Sequence, residues 1–543
     1  MGIFINISYL YIINLEKGNT MQPSWLSILP PLVVLITAFI TKKLHLSLIV
    51  AIIAAAFIAT SGSPFESTTL MGKRLWNKIS DLETIYLFAF LLVIGSLIML
   101  ICKTGGIYAF GNIIKKKLKT KKGVESASLV LSIIVGIDDY LNSLTVGHVM
   151  QPIIARYGIS RTKLAYLVHS FASPLIIIIP ITSWVAMITS NLDSSGVSLA
   201  HVASTKILAD PFFVYLKSVP FIFYSLFTLF TVWFITHRQY SYGPMYYDEQ
   251  EALKKAAQHQ KETPEQSDKY SLWDIIIPLG TLVVSVIVGI LYTGNYYLFG
   301  GNNNLIGALK NNTQSALVLL VSGIVAFVLS FTIALIQRKV HFDNLPKIVK
   351  DGTLLMIPSI LMLTFASTLG SIMEYDLGTG TYLAQTFTGY LSVMLFPFIF
   401  FIMSSVTALM TGSSWGTITL ILPIGIPMLL SILGIETPAT VGAIPMLFPV
   451  LGAIFSGAVS GDHLSPISET TIMASTSSGA DPIAHATTQL PYGIPAFTAS
   501  AIGFLISGMT IGLPIWQNLI ASIGSGLLVC VFLLFIFNKC WKP

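Results

Sequence analysis

The chain has 543 residues, of which 54% are hydrophobic and only 10% charged, against about 25% charged in a soluble domain. A mean hydropathy of +0.78 over this length requires many segments whose solvent is lipid, so the net charge of +6 reads as membrane topology rather than nucleic-acid binding. The three cysteines, Cys102, Cys530 and Cys540, form neither a CxxC pattern nor a Cys/His ligand set, which argues against a disulfide framework and structural zinc.

Residues 1–23 read as an N-terminal extension. Its apolar stretch, Phe4 to Leu15, is too short to span and lacks the basic start and small-residue cleavage site of a signal peptide. Apolar runs of span length then follow at 24–41, 44–61, 84–102, 164–190, 212–236, 273–293, 316–337, 352–372, 439–475, 492–512 and 515–537, about eleven in all. They are continuous rather than alternating, so helices are expected in place of a barrel. The expected fold class is an all-α polytopic membrane protein.

Two further apolar regions, 125–156 and 388–434, are set apart by the lysines. Lys115, Lys116, Lys117, Lys119, Lys121 and Lys122 place the loop before the first region in the cytoplasm. Lys42 and Lys43 share that side, and Arg156, Arg161 and Lys163 need it as well. Region 125–156 must therefore enter from the cytoplasm and return to it, as a re-entrant hairpin does. By the same parity 388–434 enters from outside and returns there. The N-terminus is then outside, and Lys539 and Lys542 end inside, in a multi-pass protein of the plasma membrane. Asp193, Glu374 and Asp376 fall in external loops, where solvation explains them.

The two hairpins point in opposite directions, and each precedes a span broken by polar residues. The breaks are Pro180 to Trp184 and Ser460 to Thr471. Hairpin plus broken helix, repeated with inverted topology, is the construction of secondary transporters. The expected organisation is a first repeat at 24–236, a cytoplasmic linker at 237–272, a second repeat at 273–537 and a short tail at 538–543. Within the repeats the broken helices are 164–190 and 439–475.

The first hairpin tip, Gly136 to Gly147, holds Asp138 and Asp139 beside Asn142, Ser143 and Thr145. A charge inside an apolar run costs several kcal/mol unless paired or hydrated. Carboxylate with hydroxyl and amide oxygens suits a hard cation such as Na⁺, or a proton. Structural roles compete with this reading: one of the two aspartates can cap a helix. The second break adds Asp462, His463, Ser465, Ser468 and Glu469 around Pro466, which stops a helix and frees carbonyls. Ser413, Ser414 and Thr417 in the second hairpin mirror Thr182 and Ser183, and suit neutral coordination or a substrate carboxylate at a half-helix N-terminus. Close helix packing is the alternative for these small residues. His148 and His169 are lone signals that read as structural.

The window Asp138 to Gly147, the window Gly461 to Thr471, and Thr488-Gln489-Leu490-Pro491-Tyr492 resemble the signatures of NhaC-type sodium/proton antiporters of the ion transporter superfamily. Lys163 to Tyr166 and Ser183-Trp184 add to the resemblance. It implies a scaffold domain, a mobile transport domain and often a homodimer, with Na⁺ and H⁺ as coupled ions. Similar proteins exchange organic acids, malate for lactate among them, or handle amino acids.

The expected function is Na⁺/H⁺ antiport by alternating access, since a carboxylate that holds either ion, one at a time, is by itself an exchanger. Asp139, Asn142 and Asp462 would contact Na⁺. A Na⁺- or H⁺-coupled exchanger of a small carboxylate or amino acid is the close alternative. No cofactor and no enzymatic reaction is expected. An intramembrane aspartyl protease would need a Gly-x-Gly-Asp pattern, and Val459 stands where its first glycine belongs.

Overall fold

The computed structural model describes residues 24–541, except 42, 106–119, 137, 201–204, 259–270, 311–313, 380–381, 383–384, 387–391 and 467. The extension, Lys42, most of the lysine-rich loop, the start of region 388–434, much of the linker, and Lys542 lie outside the described residues.

The helices of eight or more residues run in order: α1 (Leu29–Thr41), α2 (Leu44–Ala59), α3 (Pro64–Ser80), α4 (Leu82–Thr104), α5 (Lys121–Ile134), α6 (Asp139–Ile154), α7 (Arg161–Ser170), α8 (Ser183–Ser194), α9 (Pro211–Ser218), α10 (Phe223–Arg238), α11 (Pro244–Gln258), α12 (Trp273–Thr293), α13 (Ser315–Ile336), α14 (Leu345–Ser371), α15 (Phe396–Thr411), α16 (Ser414–Ile432), α17 (Leu447–Leu464), α18 (Glu469–Ser478), α19 (Pro482–Met509) and α20 (Ile515–Cys540). Three two-residue strands, β1 (Val197–Ser198), β2 (Ile207–Leu208) and β3 (Ala439–Thr440), pair in parallel and join the two halves of the chain.

Among the described residues nine helices are long and apolar enough to cross a membrane, or ten if the α9–α10 segment, bent by 47°, is one span. The sequence count of eleven differs for local reasons. Runs 24–41 and 44–61 form shorter helices, and 164–190 is interrupted between α7 and α8. Region 388–434 supplies two candidate spans, with the turn at Gly412 between them.

Regions 125–156 and 388–434 each hold a helix–turn–helix unit, α5–α6 and α15–α16, and the runs 164–190 and 439–475 are both interrupted. The first break runs from α7 to α8. The second runs from α17 to α18, because Pro466 cannot continue the helix and Ser465 before it is extended. The elements interlock across the halves. α6 packs on α18, and α16 and α15 pack on α17, while α4, α12, α13 and α14 form a second group that α1 to α3 join and that meets the first where α14 packs on α16. Gly461 makes the α15–α17 contact possible: a side chain there would overlap the carbonyl of Ser405. Gly147 plays the same part between α6 and α18, where it receives Ser477.

Two of the loop carboxylates are also corrected. Asp376 is buried and paired with Arg74, Nη2 to Oδ1 2.8 Å, which ties α3 to the end of α14. Asp193 is half-buried near Lys78 rather than solvated.

Candidate functional site

The interlocking brings the two carboxylate windows to one cavity. Asp139 and Asp462 both line it, with Ser413, Ser414, Glu469 and Trp184. Its far wall comes from the other helix group: His45 on α2 and Pro358 and Met362 on α14. The cavity is narrow, with room for water of about 20 Å³. One water needs about 10–15 Å³ by that measure, so the room fits a small ion or one or two waters.

Each half presents its carboxylate in a different helical setting. Asp139 opens α6, at the positive end of a helix dipole, and its Oδ2 accepts Ser173 Oγ–H from the first break at 3.1 Å. Asp462 lies in the last turn of α17, at the negative end, where a cation is favoured. Its Oδ1 accepts Ser468 Oγ–H at 2.6 Å and its Oδ2 is 3.1 Å from Thr470 Oγ1. Both groups are nearly inaccessible, at 4% and 3% exposure, and among the described residues neither forms an ion pair with a lysine or arginine. Glu469 is exposed and accepts Tyr140 O–H from α6 at 2.7 Å.

Asp138 differs from its neighbour. Its Oδ1 accepts the N–H of Tyr140 at 3.1 Å and its Oδ2 accepts Ser183 Oγ–H at 2.8 Å. It caps α6 and holds the start of α8. The Ser183-Trp184 and Ser414-Trp415 pairs open α8 and α16, and the two tryptophan rings meet edge to face at 6.1 Å beside the cavity.

Other expected ligands do not line the cavity. Because α6 begins at Asp139, Asn142, Ser143 and Thr145 sit inside a helix rather than in an open tip. Asn142 Nδ2 donates to the Ser132 carbonyl at 2.6 Å and closes the α5–α6 hairpin. The Ser143 carbonyl accepts from Ser477. Thr182 bonds carbonyls of its own break, and Thr417 bonds the Ser413 carbonyl within α16. Ser465 donates to the Leu409 carbonyl, holding the second break to α15. His463 points away, with Nε2 3.1 Å from Ser170 Oγ and Nδ1 2.7 Å from Tyr224 Oη.

Sequence reasoning passed over Thr470, His45, Tyr140 and the partners of His169. Thr470 lay inside the quoted window, and its adjacency to Ser468 and Glu469 was the available signal. The partners of His169 are Thr470, His485 and Gln489, 301 to 320 residues away in sequence, so nothing beside His169 announced the pairing. Among the described residues no group of three His, Cys, Asp or Glu side chains could hold a metal ion.

Apolar helices crossing in number, two broken helices and a pair of carboxylates sharing one cavity define a multi-pass membrane transporter. A family model described as the Na⁺/H⁺ antiporter family matches residues 175–509, and the chain belongs to that family. It is 30% identical over 515 residues to an uncharacterized protein of Haemophilus influenzae (strain ATCC 51907 / DSM 11121 / KW20 / Rd), covering 93% of this chain and 95% of that one. A shorter stretch of 111 residues is 39% identical to the malate-2H⁺/Na⁺-lactate antiporter of Bacillus subtilis (strain 168), covering 20% of this chain and 21% of that one. Among solved structures it is similar to the Alcanivorax borkumensis YdaH transporter, with 14% identity, a TM-score of 0.48, and 83% of this chain and 89% of that one covered.

Proposed function

We propose that the protein exchanges Na⁺ for H⁺ across the plasma membrane by alternating access, with Asp139 and Asp462 as the carboxylates for which the two ions compete. The observation that supports this most directly is the meeting of Asp139 and Asp462, from opposite halves of the chain, on one cavity sized for a small ion. A buried carboxylate that no protein cation neutralises is costly when charged and empty. It is relieved by either a proton or a Na⁺ ion. That exclusivity couples the two fluxes, and no cofactor is needed. In this reading residues 237–272 and the C-terminus face the cytoplasm, the N-terminus faces outward, and the hairpin and broken-helix units form the moving part.

The test is ²²Na⁺ uptake into proteoliposomes driven by a pH gradient. Wild-type protein should accumulate the ion, and Asp462→Asn should fall to the level of empty vesicles. Antiport by the Asp462→Asn protein at the wild-type rate would refute the assignment. The match to a malate and lactate exchanger favours a second reading, in which a small carboxylate is the cargo and the Ser413–Ser414 helix start holds it. Labelled malate or lactate counterflow without Na⁺/H⁺ exchange would select that reading.

A further inference from the structure

The hydrogen bonds around Thr470 place it between the Asp462 carboxylate and a buried histidine. Its Oγ1 is 3.1 Å from Asp462 Oδ2 and 3.0 Å from His169 Nε2. A threonine hydroxyl has one hydrogen to give. The tautomer of His169 decides what that hydrogen must do.

Gln489 fixes the tautomer. Its Nε2 donates to the His463 carbonyl, which can only accept. Its Oε1 is therefore the atom facing His169 Nδ1, at 3.1 Å. An amide oxygen only accepts, so Nδ1 carries the hydrogen and neutral His169 offers a lone pair at Nε2. His485 Nε2, 3.2 Å from the same Nδ1, is a second acceptor for it. Ser468 does not resolve the shortage, because its own hydrogen goes to Asp462 Oδ1. Thr470 is left with one hydrogen between two acceptors, His169 and the carboxylate. All of these groups are buried, and of them only Asp462 and Thr470 border the cavity, so whatever makes up the difference enters from there.

We infer that Thr470 is a cation ligand, its oxygen turned toward Asp462 by His169, and that a monovalent cation between Asp462 Oδ2 and Thr470 Oγ1 completes the network. With the ion in place the Thr470 hydrogen goes to His169 Nε2, and the lone pairs of both oxygens face positive charge. With the edge empty and Asp462 charged, one buried contact sets acceptor against acceptor; a proton on Oδ2 relieves it as the ion does, so the two compete for this edge. His169 is thus a positioning residue, acting on the ion through Thr470. The inference rests on Asp462 being an ion-binding carboxylate and adds the second half of its binding edge.

The experiment measures ²²Na⁺ retention by the purified full-length protein in detergent, and half-saturating Na⁺ for pH-driven uptake in proteoliposomes. Thr470→Val keeps the shape and removes the oxygen. It should raise half-saturating Na⁺ roughly tenfold, as loss of one charge-assisted contact does. Thr470→Ser should restore the wild-type value. His169→Leu removes the acceptor, lets the Thr470 hydrogen turn onto Asp462, and should raise half-saturating Na⁺ in the same way. Thr470→Val with half-saturation within about twofold of wild type, or with only its maximal rate reduced, overturns the inference. If the wild type binds Na⁺ but does not exchange it for protons, antiport fails while weaker Na⁺ retention by Thr470→Val still supports the ligand assignment. Equal retention by both proteins refutes it.

Discussion

Asp138 and Asp139 are neighbours in sequence with opposite surroundings. The chain turns into α6 between them, so one carboxylate folds back on backbone and Ser183 while the other faces the cavity. Composition exposed both as anomalous in an apolar run but could not divide the roles, because the division depends on where the helix starts. Asp138→Asn should cost about 1 kcal/mol in unfolding free energy, as loss of a cap does, and should keep measurable Na⁺/H⁺ exchange. Asp139→Asn should abolish exchange while its melting temperature stays near or above that of the wild type, since an uncompensated buried carboxylate is removed. Thermal melts in detergent paired with vesicle uptake read both. The opposite pattern would give the ion to Asp138.

At the scale of elements, the turns and breaks were legible because polar residues, Gly412 and Pro466 interrupt apolar runs, and these act locally. Span number was less so, since length along the sequence does not tell a continuous helix from α7 followed by a break. Helix α11 lies in the stretch that the sequence marked only as a linker. It is docked by a buried ion pair, Lys121 Nζ to Glu249 Oε1 at 2.8 Å, with Glu249 only 3% exposed. Nearby, Gln239 donates to Glu125 and Lys163 donates to the Tyr240 carbonyl. Burial pushes the Glu249 carboxyl up, but Lys163 and Lys121 together outweigh it and hold it below its ordinary value. A depressed folded value means that its stabilisation is present above the unfolded value near about 4.3 and is lost as pH falls through the folded one. Glu249→Gln should therefore destabilise the protein by about 3 kcal/mol near neutral pH, because Lys121 and Lys163 lose their partner. The gap to wild type should close as the pH is lowered past that range. Denaturant titrations of both proteins at several pH values check it, and a gap that widens in acid would show that the carboxylate is not the source.

For the whole molecule, the placement of the cavity carries the mechanistic weight. One wall is α2 and α14, and the other is built from the hairpins and broken helices of both halves. The inverted arrangement of the polar breaks hinted at the second wall. His45 and Met362 of the first wall sit in ordinary apolar spans, where nothing in their neighbourhood marks them, so the boundary became visible only in three dimensions. If transport requires the two walls to separate, a link across the boundary must stop it. Ser413 Oγ lies 3.8 Å from Met362 Sδ, directly across that boundary. In a background lacking Cys102, Cys530 and Cys540, the pair Met362→Cys and Ser413→Cys should transport until treated with a short, reducible thiol crosslinker. Crosslinking should then stop ²²Na⁺ uptake, and reduction should restore it in the same vesicles. Each single-cysteine protein should be indifferent to both reagents. Full transport by the crosslinked pair would mean that α14 and the α15–α16 tip travel together, and the moving part would have to be redrawn to include the α2 and α14 wall.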